Sequence, residues 1–87
     1  LVASDGGVLT ASARLGLDAL RDALRPPFEM PDDVDTVGGL AMSLFGRVPE
    51  PGETIQHESY VIEVLESTQK RVGRVRFTPS PVEESHE

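Results

Sequence analysis

The chain has no cysteine, which excludes disulfides and thiolate metal sites and leaves a reducing compartment allowed. It lacks any apolar run of the ~18 or more residues needed to cross a membrane as a helix. No basic stretch followed by an apolar one opens it, so the pattern of a signal peptide is not visible. Basic residues are scarce: 8 Lys and Arg stand against 15 Asp and Glu, for a net charge of −7. Nucleic acid is therefore rejected as a partner, because neutralising phosphates needs a basic footprint. Histidine is limited to His57 and His86. No serine lies near either at the spacing of a nucleophile and its base, and no electrophile completes a set. The reading is that the chain is not an enzyme and that His57 is a surface strand residue.

At 87 residues the chain is one domain, of a size that buries only ~60% of its extended surface. It begins at Leu1 rather than Met, which suggests a piece of a longer protein. The most informative stretch is DTVGGLAMSLFGRVPEPGE, from Asp35 to Glu53. Val37, Leu40, Ala41, Leu44 and Phe45 recur at helical spacing and share one face. Asp35 or Thr36 can cap the helix start, and Gly46 can end it in the left-handed conformation. Pro49, Pro51 and Gly52 then form a turn into a strand at Thr54 to His57. Earlier in the chain, Val8 and Leu9 read as a short strand after an Asp5-Gly6-Gly7 turn. Leu17, Leu20 and Leu24 line a first helix that Arg25-Pro26-Pro27 stops, with Phe28 and Met30 tucked onto the core.

Tyr60, Ile62 and Val64 alternate with Glu63, the period of a half-buried strand, while Val61 and Leu65 share the Glu63 face. Ser67 to Lys70 is the expected hairpin turn into Arg71 to Phe77. Val72 falls out of phase with Val75 and Phe77, and a bulge near Gly73 would return it to the core. The order predicts an α+β domain with two helices packed on one face of a small antiparallel sheet. Leu17, Leu20, Leu24, Leu40, Leu44, Phe45, Ile62, Val64, Val75 and Phe77 are its expected core. Residues 1–78 make the domain, and 79–87, rich in Pro, Ser and Glu, are expected as a flexible acidic tail or linker.

The helix followed by Gly46-Arg47-Val48-Pro49-Glu50-Pro51-Gly52-Glu53 resembles the signature of the CorC/HlyC transporter-associated domain. Asp5-Gly6-Gly7, the run Arg14 to Leu20, and the strand pair from Tyr60 to Phe77 extend the resemblance over roughly residues 5–78. Gly16 departs from it, since the family usually has a side-chain cap there; Arg25 to Phe28 falls where the family's inter-helix loop varies. The resemblance implies a cytoplasmic accessory module at the C-terminus of a bacterial membrane protein with a transmembrane domain and a CBS-domain pair. Such proteins are associated with magnesium and cobalt efflux or haemolysin-like functions. Its partners would be that CBS pair, the membrane domain, or a second copy as a homodimer. The fold is related to a subdomain of FAD-binding oxidases, but no Gly-rich pyrophosphate loop is present and aromatics are few. No cofactor is expected, and FAD or adenine nucleotide rests on fold analogy. The alternative reading is a small-ligand sensor for a flavin, an adenine nucleotide or a divalent cation.

The candidate partner-binding residues are Lys70, Arg71, Arg74 and Arg76, grouped in one strand-like segment. They fit either an edge strand kept unpaired by charge or a docking edge for carboxylates or anionic lipid. Asp32, Asp33 and Asp35 are read as helix capping rather than a metal site, because no calcium-loop spacing follows. Arg47 is read as satisfying carbonyls at the helix end, or else as reaching to a partner.

Overall fold

A computed structural model describes residues 1–24 and 28–79. The expected helix stop at Arg25-Pro26-Pro27, and the tail beyond Pro79 with Val82 and His86, lie outside the described residues. The elements are β1 (Val2–Ala3), β2 (Leu9–Ser12), α1 (Leu17–Ala23), α2 (Val37–Phe45), β3 (Thr54–His57), β4 (Tyr60–Ser67) and β5 (Val72–Pro79). The strands form one antiparallel sheet in the order β1-β2-β5-β4-β3. Both helices cover one face of it, as the order of elements predicts, and the opposite face is open.

Period-two alternation decides which side chains meet the helices. Leu9, Phe77, Ile62 and Ile55 stand in register across the sheet, and Ala11, Val75 and Val64 form the next row. Phe77, Ile62, Val64 and Val75 are buried, and Leu17, Leu20, Leu24, Val37 and Leu40 close over them from the helices. The strand expected at Val8 and Leu9 is β2, which starts at Leu9, leaves Val8 outside and runs on to Ser12. Thr10 to Ser12, which looks like a polar patch, continues β2 because Thr10 and Ser12 pair with Arg76 and Arg74 on the open face. The Asp5–Gly7 turn joins it to β1, a short edge strand that periodicity over two residues cannot reveal. Pro79 pairs with Tyr60, so the sheet runs one residue past 78.

Between β4 and β5 the register steps from Val64↔Val75 to Glu66↔Arg74 to Ser67↔Val72. One residue is passed over on each strand, Leu65 and then Gly73. The slip at Gly73 returns Val72 to the core face, where it is 3% exposed, as its phase required.

Two expectations for the core need correction. Leu44 and Phe45 are half-buried and pack on the rim rather than inside. The deep face of α2 is its N-terminal half, Val37, Gly38, Leu40 and Ala41. There Gly38 approaches so closely that an added Cβ would lie 2.9 Å from the Ala13 Cβ. His57 is not a plain surface residue. It stands on the core side of β3, half-buried, with its ring 4.8 Å from that of Phe28 in an edge contact.

The helix starts are tied to each other. A backbone bridge pairs Gly16 with Thr36, and Leu17 N–H donates to Asp35 C=O at 2.9 Å. That carbonyl satisfies the amide of the first helical residue, one of the first-turn N–H groups with no partner inside the helix. Of the two expected caps for α2, Thr36 is the one used: its Oγ1 accepts from Gly39 N–H at 3.2 Å.

Candidate functional site

The basic segment separates into two environments. Arg74 and Arg76 alternate outward from β5 on the open sheet face. Each faces a carboxylate on β4: Arg76 Nη1 lies 3.2 Å from Glu63 Oε1, and Arg74 Nη1 lies 3.4 Å from Glu66 Oε2. These are cross-strand pairs, with Val61 and Leu65 half-buried on the same face. The premise that this strand is an edge is wrong. β5 is the central strand, hydrogen-bonded to β2 and β4, so its backbone offers nothing for sheet extension. Strands β1 and β3 hold the edges. The strand is last in sequence order, but topology inserts it in the middle of the sheet.

Lys70 and Arg71 lie instead in the turn between β4 and β5. Thr68 shapes that turn: its Oγ1 accepts the backbone N–H groups of Lys70 and Arg71 at 3.2 and 3.3 Å. Both side chains are exposed. Arg14, in the loop after β2, comes to the same end of the molecule because Ala13 N–H donates to Gly73 C=O at 2.9 Å. Arg14 and Arg71 flank a shallow groove whose floor includes Gly38, Gly39, Met42 and Val72. Arg14 escaped sequence reasoning, since nothing local reveals that the residues around it lie beside the start of β5.

Arg47 does not serve the carbonyls at the end of α2, the first role expected of it. Gly46, in the left-handed conformation, donates its N–H to Met42 C=O, and Arg47 turns toward the following loop. Its Nη1 donates to Glu53 Oε2 at 2.8 Å and its Nη2 bonds the other carboxylate oxygen. Glu53 Oε2 also accepts Glu50 N–H at 2.7 Å. The Arg47 hydrogen bond, followed by that of the Glu50 amide, holds the Glu53 carboxyl down at about 2. The guanidinium is raised in turn by its bond to Glu53. Around this clamp, Gly52 N–H donates to Val64 C=O at 2.7 Å and Ser67 Oγ to Pro49 C=O at 2.7 Å. The most distinctive motif of the chain thus fastens the end of α2 to β4.

The acidic run is spread over a turn and the approach to α2. Asp35 uses its carbonyl to start α1, and Asp32 and Asp33 form a turn. Among the described residues, no group of three or more His, Cys, Asp or Glu side chains is placed to hold a metal. The N-terminus of α2 has no spare amide either. Val37, Gly38 and Gly39 donate to Leu15 C=O, Ala13 C=O and Thr36 Oγ1. No described helix is long and apolar enough to cross a membrane.

The architecture is that of a small two-layer α+β domain with one open sheet face and a basic end. The family model for the CorC_HlyC transporter associated domain matches residues 2–81, and the chain belongs to that family. The magnesium and cobalt efflux protein CorC of Salmonella typhimurium is 35% identical over 66 residues, covering 76% of this chain and 22% of that protein. The UPF0053 protein YegH of Escherichia coli K12 is 30% identical over 73 residues, covering 84% of this chain and 14% of that protein. The chain therefore spans a small part of the relatives it matches. The fold recurs in the transporter associated domain CorC_HlyC from Nitrosomonas europaea (TM-score 0.78, 20% identity, 91% of this chain and 94% of that one). It recurs also in the domain from a Xylella fastidiosa Temecula1 hemolysin (TM-score 0.72, 23% identity, 90% and 91%).

Proposed function

We propose that this domain is the cytoplasmic accessory module of a longer membrane protein and modulates divalent-cation transport, of magnesium or cobalt, through contacts between domains. The observation that carries this is the match to the Salmonella efflux protein, of which the domain makes up 22%. Transport itself would belong to the remainder of such a chain, and the CBS pair and membrane domain would be the surfaces contacted. The geometry agrees in kind: an open, charged sheet face and an unneutralised basic end suit contact more than chemistry. No enzymatic step is assigned to the domain. The test is deletion of the domain from the full-length protein, followed by measurement of Mg2+ and Co2+ efflux from loaded cells. A changed efflux rate at unchanged protein abundance is expected. Unchanged efflux would overturn the reading.

A second reading, a divalent-cation sensor, has one observation in its favour: the Xylella fastidiosa domain has also been solved in complex with Mg++ and Mn++. In this chain the acidic residues near Asp35 are spread over a turn and a helix start. Calorimetric titration of the domain with Mg2+ should therefore show no stoichiometric micromolar site, and finding one would promote the sensor.

A further inference from the structure

Of the basic residues described here, Arg21, Arg47, Arg74 and Arg76 each sit within reach of a carboxylate. Among the described residues Arg14, Lys70 and Arg71 face no carboxylate, and none of them has a further side-chain interaction there. In a chain of net charge −7, three unneutralised cations at one end are a local reversal of the surface field. Two of them flank a groove with Met42 and Val72 in its floor. All the nearby amides of α2 are already used, so the cations, not the helix end, would do the recognising.

We infer that this groove is a docking site for an acidic protein segment, and that the segment belongs to the longer chain in which the domain resides. This rests on the accessory-domain reading and names the surface it uses. Arginine guanidiniums take carboxylates in paired hydrogen bonds, and Met42, half-buried in the groove, can meet the methylenes of a Glu side chain. An anionic membrane fits less well. A bilayer presents its charge broadly and would meet the −7 domain with net repulsion, whereas a narrow segment meets only the basic end. The path of the chain also favours a neighbour in the same protein. Val2 pairs with Thr10 and Ala3 with Leu9, so any residues preceding Leu1 along β1 would run toward Ser12 and the groove.

Lys70 is the sole lysine among residues 1–87, so a crosslinked lysine in a peptide from this domain is identified without ambiguity. Carbodiimide treatment of the full-length protein in membranes joins an amine to a carboxylate in direct contact. The expected product links Lys70 to an Asp or Glu outside residues 1–87. Its yield should fall roughly five-fold in R14S/R71S, the effect of losing exposed charge pairs, and stay unchanged in R74S/R76S. Circular dichroism of the 87-residue variants checks that each is folded. Crosslinks of Lys70 only within the domain, or only between copies of it, overturn the proposal. So does flotation of the 87-residue chain with vesicles of phosphatidylglycerol and phosphatidylcholine in equal parts, if R14S/R71S abolishes it. Altered efflux on domain deletion without the crosslink would leave the accessory reading standing and this one fallen. The crosslink with unaltered efflux would do the reverse.

Discussion

The two ends of α2 are held by different physics. At the N-terminal end, Val37, Gly38, Leu40 and Ala41 are buried, Thr36 caps the first turn, and backbone bonds tie the helix to the loop before α1. At the C-terminal end, Leu44 and Phe45 ride the rim, and an exposed polar clamp, Arg47 on Glu53, directs the chain toward β3. One end is fixed by exclusion of water and close packing, the other by turn geometry and charge. Burial is the stronger device, so the two ends should respond very unequally to substitution.

The sharpest contrast is between two leucines of the same helix. Leu40→Ala, at 1% exposure, should cost ~2–5 kcal/mol, and Leu44→Ala less than ~2 kcal/mol, because a rim site loses less contact and leaves no sealed cavity. Urea denaturation of both variants measures the gap, and equal losses would erase the distinction between the ends. Next in size is Gly38→Ala. The new methyl would meet Ala13 Cβ at 2.9 Å, an overpacking that should cost ~1–3 kcal/mol. Adding Ala13→Gly should recover part of that loss if the close approach is the cause. Thr36→Ala should cost ~1 kcal/mol by leaving the Gly39 amide uncapped, seen as a lowered urea midpoint with unchanged slope.

The smallest effect belongs to the clamp, and it depends on pH. The Glu53 carboxyl falls from a usual 4.5 to about 2 in the folded chain, so between those values the unfolded state binds more protons than the folded one. Stability from this pair is complete above about pH 4.5 and is lost as pH falls toward about 2. Glu53→Gln should therefore be less stable than the parent chain above that window, with the difference shrinking through it. A pH-independent difference in urea midpoint would mean that the carboxylate is not what the turn depends on.

How much of this was legible in the sequence depends on the range of the interactions. The two helices, the Gly46 stop and the β4 alternation are local periodicities, and the structure reproduces them. Even the slip at Gly73 could be inferred, because Val72 was out of phase with Val75. The depth of Leu44 was not legible: a helical wheel gives direction, but not how far the sheet extends beneath. His57 gained an aromatic neighbour from Phe28, a loop residue, which no spacing rule anticipates. The basic segment was visible as composition, yet its division into neutralised Arg74 and Arg76 and free Lys70 and Arg71 depends on which strand lies beside which. Arg14 joined them only through the pairing of β2 with β5.

That pairing has a consequence for how the chain comes together over time. The last described strand is the middle of the sheet, so the β1–β2 arm and the β3–β4 arm share no strand until β5 arrives between them. During synthesis the earlier segments emerge first, and the helices then have only fragments of a floor to rest on. Completion must wait for the most sequence-distant contacts, Leu9 with Phe77 and Ala11 with Val75, whose loop-closure cost slows folding. A chain cut before Val72 would lose its keystone rather than a margin, whereas one lacking Val2 and Ala3 would lose only a hem.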